Sequence, residues 1–150
     1  MTAMNEFLRH LDTAEAHAMY GGLDALWNAR ADTLNQRLRE RKLPVQVANL
    51  SSIWTVSYTE PSRYNWMFQF YLRAEGLALS WIGTGRLIFS LNYTDADFAA
   101  VMDRFVAAAK AMRRDGFWWH DPLATNKSIK RRVLREIMAR RFGRKREPGR

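Results

Sequence analysis

The sequence contains no cysteine, which excludes disulfide bonds and thiolate chemistry and is typical of proteins of the reducing cytoplasm. It also contains no apolar run near the ~18–20 residues that a membrane-spanning helix needs. The first residues lack the uninterrupted apolar core of a signal peptide, since Asn5, Glu6, Arg9, His10 and Asp12 interrupt them. We therefore expect a soluble, cytoplasmic protein without a transmembrane segment.

Acidic residues are scarce in the last part of the chain. Residues 127–150 contain eleven lysines or arginines and two glutamates, so they carry the whole formal net charge of +9 and residues 1–126 are neutral. Of the 150 residues, 47% are hydrophobic, which suffices for one domain with a core. The composition shifts near residue 123. We expect a domain over 1–122 and a basic helical tail over 123–150.

Five segments repeat apolar residues at the three- and four-residue spacing that predicts helices, at about 4–20, 23–42, 63–75, 95–114 and 127–142. We expect Gly21-Gly22 to separate the first two helices and Thr94 or Asp95 to cap the fourth. In the third helix, four side chains are predicted to face inward: Trp66, Phe70, Tyr71 and Ala74.

The periodicity changes to two after Pro44, which predicts strands. Val45 and Val47 belong to a first strand and 53–58 to a second, with 49–52 between them. Two further strands are predicted at 77–81 and 86–92, joined by 82–85. The fold class is therefore α+β. We expect an antiparallel or mixed sheet of about four strands with helices packed on one face, followed by the basic C-terminal helix.

Few residues show the spacing of a chemical site. Gly83-Thr84-Gly85 precedes a strand instead of a helix, so we interpret it as a hairpin connection and not as a phosphate loop. The three histidines are scattered, which predicts no metal site. Asp95 and Asp97 stand at a helix start, where carboxylates act as caps. The Trp118-Trp119 pair is typical of a core or an interface.

The two blocks LNQRLRERKLPVQVANLSSIWTVSY and FYLRAEGLALSWIGTGRLIFSLNYTDADFAAVMDRFVAAAKAM carry a family resemblance. They resemble the C-terminal small domain of class III pyridoxal-phosphate aminotransferases, especially the glutamate-1-semialdehyde aminomutase branch. In that family, helices ending in L-x-x-x-G-hydrophobic lead into strands, and a strand closes on S-L-x-x-T-x-x-D. Residues 34–112 follow this pattern, with Lys42 where glycine is commoner.

The resemblance implies that the catalytic machinery lies outside this sequence. The family's Schiff-base lysine, its aspartate on the pyridinium nitrogen and its phosphate-binding turn belong to the large domain, before the region seen here. No lysine of this chain matches the family's lysine motif. We therefore expect no catalytic residue, no metal and no pyridoxal phosphate bound by this chain alone. The chain would be a fragment or split portion of such an enzyme, or a free-standing domain retained without catalysis.

Arg86 is the one site residue that the resemblance suggests. It stands near the arginine with which related aminotransferases hold a substrate carboxylate, although the aminomutase branch has a glutamate in this neighbourhood. A guanidinium suits the role because its planar fork donates two hydrogen bonds to a carboxylate. The alternative is a strand-end arginine in solvent or in an ion pair.

Three functional hypotheses follow. The first is a small domain that closes the site around amino substrates bearing a carboxylate, with a large-domain chain or a further copy as its partner. The second is a non-catalytic binding protein whose basic C-terminal helix meets nucleic acid, an acidic membrane or an acidic protein. The third is a dimerisation module.

Overall fold

A computed structural model describes residues 2–79, 86–120 and 122–143. Five α-helices lie in these ranges: α1 (Thr2–Leu11), α2 (Ala14–Glu40), α3 (Phe68–Ala74), α4 (Asp95–Arg114) and α5 (Asn126–Gly143). Three strands form one sheet: β1 (Val45–Leu50), β2 (Ile53–Tyr58) and β3 (Arg86–Ile88). A single 3-10 turn, Asn65–Met67, precedes α3. None of the helices in the described ranges is long and apolar enough to cross a membrane.

The sheet is antiparallel, in the order β1-β2-β3. The class α+β is therefore confirmed, whereas the expected four strands reduce to three in the part of the chain described. Residues 77–79 form no strand. Ser80, Trp81 and the 82–85 connection with Gly83-Thr84-Gly85 lie outside the described residues.

Two strand boundaries differ from the prediction. Pairing of β1 with β2 continues to Leu50 opposite Ile53, so the connection contains only Ser51 and Ser52. β3 ends at Ile88 instead of Asn92. The chain turns there because the Ser90 carbonyl accepts a hydrogen bond from the Tyr93 amide at 3.3 Å. The hairpin is thus tighter, and the third strand shorter, than periodicity alone predicted.

An aromatic cluster forms the centre of the core. Trp27 of α2 stacks on Phe89 with ring centroids 5.5 Å apart, and Trp54 of β2 meets Phe98 of α4 edge to face at 5.1 Å. All four side chains are buried. Such contacts add to the hydrophobic gain of burying large rings, so this cluster joins α2, the sheet and α4.

The boundary between the first two helices differs from the expectation. The break falls at Asp12-Thr13, and α2 runs through Gly21-Gly22 without interruption. The Thr13 side chain caps α2 by accepting a hydrogen bond from the Ala16 amide at 3.2 Å. The two glycines are exposed and helical, where each costs only about 1 kcal/mol relative to alanine.

The predicted inward face of the third helix is wrong for three of its four residues. Trp66, Phe70 and Ala74 are exposed, whereas Tyr71 is partly buried against the core. Phe68 and Leu72 are buried instead. Apolar residues stand at both 66–68 and 70–72, so the spacing alone fits more than one inward face.

Three helices end in the same way. After α2, α3 and α4, the residues Lys42, Gly76 and Gly116 have φ of +51°, +83° and +76°. In each case the next amide donates back five residues: Leu43 to Leu38 at 3.0 Å, Leu77 to Leu72 at 2.8 Å, and Phe117 to Met112 at 3.1 Å. This is the Schellman arrangement, in which a left-handed residue satisfies the last carbonyls.

The outer edge of β1 is closed by a side chain. Asn35 of α2 donates from Nδ2 to the Val47 carbonyl and accepts from the Val47 amide with Oδ1, both at 2.8 Å. Free strand edges recruit other chains, so occupying these two backbone groups blunts the edge. The clamp also fixes β1 against α2.

Candidate functional site

One side of the sheet packs on the core and the other faces solvent. The inward side chains are Val45, Val47, Trp54, Val56 and Leu87, all buried. We call the other side the open face; its members, all exposed except the half-buried Ser57, are Gln46, Ala48, Leu50, Ile53, Thr55, Ser57, Arg86 and Ile88.

An apolar row crosses the open face. Leu50, Ile53 and Ile88 are direct neighbours in the strand register and are 76%, 40% and 70% exposed. Side chains opposite each other on neighbouring strands lie about 5 Å apart, so the three form one continuous patch. Contiguous apolar patches of this kind mark contact surfaces more often than scattered apolar residues do.

Arg86 stands beside this row. It opens β3 opposite Thr55, which itself lies opposite Ala48, so its cross-strand neighbours in this register are small residues. Its side chain is exposed and forms no ion pair within the described part of the chain. The geometry leaves the planar fork free for a carboxylate that approaches the open face.

The four lysines in the described ranges lack the surroundings of a pyridoxal-phosphate site. Lys42, Lys110, Lys127 and Lys130 are exposed, and Lys145 lies outside the described residues. A lysine that forms a Schiff base with this cofactor is activated by desolvation or by a neighbouring cation in an enclosed pocket. The four described lysines have no such enclosure, so they do not fit the cofactor.

The sequence alone does not predict that Arg30 is buried. The Arg30 side chain, 10% exposed, donates to Asp95 Oδ1 at 2.8 Å and to the Tyr93 carbonyl at 3.2 Å. Its guanidinium lies over the rings of Trp27 and Phe98 at 4.8 and 4.9 Å. These contacts connect α2 to the start of α4, so the role is structural. Arg30 is 65 residues from Asp95, and no local pattern indicates the pair.

The start of α4 is a cap, as the sequence indicates. Thr94 accepts from the Asp97 amide, and the Asp97 carboxylate accepts from the Thr94 amide at 3.0 Å. The Thr94 hydroxyl also donates to the Asp97 carboxylate at 2.6 Å, and this bond, together with that from the Thr94 amide, holds the pKa of Asp97 below its ordinary value because both favour the ionised form. Asp95 and Asp97 therefore stabilise the helix and do not form a catalytic pair.

The basic helix α5 contacts the domain through one bidentate ion pair. Arg63 donates to both carboxylate oxygens of Glu136, at 3.2 and 2.8 Å. The same contact raises the pKa of Arg63 and lowers that of Glu136. The residues are 73 positions apart, and the sequence gives no signal for their pairing.

A cleft of about 160 Å³ lies beside Arg63 of this ion pair. Trp119 and Leu123 line it on one side, and Ile129 and Val133 of α5 line it on the other. The two neighbouring tryptophans differ: Trp118 is partly buried against the core and donates from Nε1 to the Ala109 carbonyl at 2.8 Å, whereas Trp119 is exposed.

Metal ligands do not converge in the described ranges, where no group of three or more histidine, aspartate or glutamate side chains has suitable geometry. Comparison of the chain with models of protein families gives no match, and comparison with curated proteins gives none either.

Proposed function

We propose that this chain is the C-terminal small domain of a class III pyridoxal-phosphate aminotransferase or aminomutase-like protein. A large-domain chain supplies the cofactor, the Schiff-base lysine and the remaining catalytic groups. The small domain presents Arg86 to the carboxylate of an amino substrate and is inactive alone.

The observation that carries this proposal is the end of α2. The resemblance puts glycine in the position of Lys42, and Lys42 has the left-handed φ of +51° that favours glycine. The second unit of the same pattern, Leu72 to Gly76, ends with the same hydrogen bonds. Two helix ends of one geometry, each at the glycine position of the L-x-x-x-G pattern, support the alignment on which the resemblance rests.

The exposed apolar surface supports a partner. The apolar row of the open face is uncovered, and so are Met4, Phe7 and Leu8 on α1. Single domains rarely leave such groups in solvent without a contact to make. A large-domain chain is the partner we propose; a second copy of this chain is the competing one, and sedimentation at micromolar concentration distinguishes them.

The exposed lysines support the absence of catalysis in the isolated chain. Amino transfer needs one lysine of lowered pKa beside the cofactor, and the described lysines are solvated. Arg86, in contrast, needs no activation, because a guanidinium is charged at every physiological pH. The small domain thus contributes binding and orientation.

A chimera tests the proposal. The full chain replaces the small domain of a glutamate-1-semialdehyde aminomutase, and the visible absorbance of the bound cofactor verifies that the large domain is folded. We expect turnover of the semialdehyde. Changing Arg86 to alanine should raise KM about tenfold or more, because a charged hydrogen-bonded pair contributes about 1.5–3 kcal/mol.

The matched control is Arg39→Ala, which removes an exposed arginine from α2. It should leave KM and kcat unchanged. A chimera that holds the cofactor without turnover would contradict the proposal, and so would an Arg86→Ala variant with the KM of its parent.

A further inference from the structure

The helix α5 concentrates positive charge. Between residues 126 and 143 it has seven lysines or arginines and one glutamate. Glu136 is engaged by Arg63 and also lies 3.7 Å from Arg132. The side of α5 that faces away from the domain therefore has no acidic side chain to offset its cations.

The outward cations are solvated and regularly spaced. Arg131 and Arg135 are exposed and form no ion pair with any described residue. They are one turn apart, about 6 Å along the axis. Lys127 lies one turn before Arg131, so the exposed Lys127, Arg131 and Arg135 form one row, the cationic strip, which spans about 12 Å along the axis. Lys130, Arg140 and Arg141 lie at other positions around the helix.

The pattern of α5 does not suit a lipid surface. Helices that lie in a membrane interface separate a broad apolar face from a charged one. The exposed apolar residues of α5 are Val133, Leu134, Ile137 and Met138, and Lys130 and Arg141 lie among them, each at three- or four-residue spacing from two of the four. Burying that side in the acyl boundary would bury cations with it.

Single-stranded nucleic acid is a weaker fit than a duplex. Proteins that bind single strands stack bases on aromatic rings along a basic groove. The helix α5 contains a single aromatic residue, Phe142, near its C-terminal end, so no series of rings accompanies its cations. A straight row of cations instead matches the evenly spaced phosphates of a double helix, whose binding releases condensed counterions.

We propose that α5 binds the phosphate backbone of double-stranded DNA, without sequence preference. Lysine and arginine contacts to phosphates position a protein on a duplex but do not read bases. The Arg63–Glu136 pair anchors the opposite side of the helix, so the cationic strip points away from the domain. This inference goes beyond the proposed amino-transfer role and does not depend on it.

The test measures fluorescence anisotropy of a labelled 20-base-pair DNA duplex of arbitrary sequence with the full chain, over a range of salt concentrations. We expect micromolar binding at about 50 mM salt that weakens steeply as salt rises. The double variant Arg131→Glu/Arg135→Glu should bind at least about tenfold more weakly. The slope of log K against log salt should shrink by about two, one for each lost phosphate contact.

The matched control is Arg39→Glu/Lys110→Glu, which makes the same change in net charge on exposed positions of α2 and α4. It should keep the affinity and the slope of the parent. Equal weakening by both pairs would overturn the proposal, because net charge alone would then explain the binding. Absence of duplex binding by the parent at about 50 mM salt would also overturn it. So would binding to phosphatidylserine vesicles or to poly-glutamate in place of DNA.

Discussion

At the scale of the residue, Lys42 holds the backbone in a conformation that a side chain disfavours. A left-handed φ costs an ordinary residue about 1–2 kcal/mol, whereas glycine adopts it freely. Glycine also increases the conformational entropy of the unfolded chain, which offsets about 0.4–1 kcal/mol of this gain in stability. We therefore expect Lys42→Gly to raise the free energy of unfolding by about 0.5–1 kcal/mol, measured by urea denaturation.

Lys42→Ala is the control for this change. It removes the same exposed side chain and keeps the left-handed strain, so its stability should stay close to that of the parent. Equal stabilisation by alanine and glycine would show that the lysine side chain, and not the backbone, is responsible.

At the scale of the element, the Asn35 clamp decides how β1 is held. Replacing Asn35 by alanine leaves the amide and the carbonyl of Val47 without partners at a partly buried edge. A fully buried unsatisfied group costs about 1–3 kcal/mol, but this edge is only partly buried, so water replaces part of both lost hydrogen bonds. We expect a loss of about 1–3 kcal/mol in the free energy of unfolding.

The neighbouring Gln36 offers a control on the same helix. Its side chain is exposed and bonds only to Glu40 at 3.0 Å, so Gln36→Ala should change stability by less than about 0.5 kcal/mol. If both variants lost the same stability, the strand-edge role of Asn35 would be wrong.

The docking of α5 depends on the charge of Glu136. Because the pKa of this carboxyl is lowered by Arg63, the contact is present above the unfolded pKa of about 4.3 and is lost as pH falls through the lower folded value. Glu136→Gln should therefore speed amide hydrogen exchange in α5 at neutral pH without moving the urea midpoint of the domain.

The corresponding control is Glu40→Gln, which changes an exposed glutamate of α2 whose ion pair is 3.6 Å long. It should leave exchange in α5 as it is in the parent. Unchanged exchange in Glu136→Gln would mean that other contacts, such as those along the cleft, hold the helix.

Local signals explain which elements were predictable. The bounds of α4 follow from the sequence, because the Thr94-x-x-Asp97 capping box and Gly116 act within one turn of each end. The inward face of α3 does not, because apolar residues at 66–68 and 70–72 surround the helix and only the tertiary packing selects Phe68 and Leu72. The break between α1 and α2 was misplaced because two glycines look like a stop signal, whereas the Thr13 cap decides the boundary.

The residues of the candidate site likewise differ in whether the sequence predicts them. Arg86 was proposed from the sequence, and its exposed position comes from the alternation along β3. The apolar row could not be predicted, because Leu50, Ile53 and Ile88 lie on three different strands and only the register makes them neighbours. Arg63–Glu136 and Arg30–Asp95 join residues more than 60 positions apart, and only the tertiary structure brings them together.

At the scale of the whole molecule, the two proposed roles lie in parts of the chain that differ in net charge. Residues 1–126 are neutral and include the sheet with its open face, whereas residues 127–150 carry the whole net charge. The proposed amino-transfer role uses the first part, and the proposed duplex contact uses the second. Variants on the open face and variants on α5 should therefore affect different assays, with additive consequences.

The most direct test of the central claim uses the isolated chain. Pyridoxal phosphate is added, borohydride reduces any adduct, and intact mass with peptide mapping counts the labelled lysines. We predict no stoichiometric adduct on any one lysine, because in the proposed function a large-domain chain provides the cofactor-binding lysine. A single lysine labelled to completion would contradict this proposal, since this chain would then contain a cofactor site of its own.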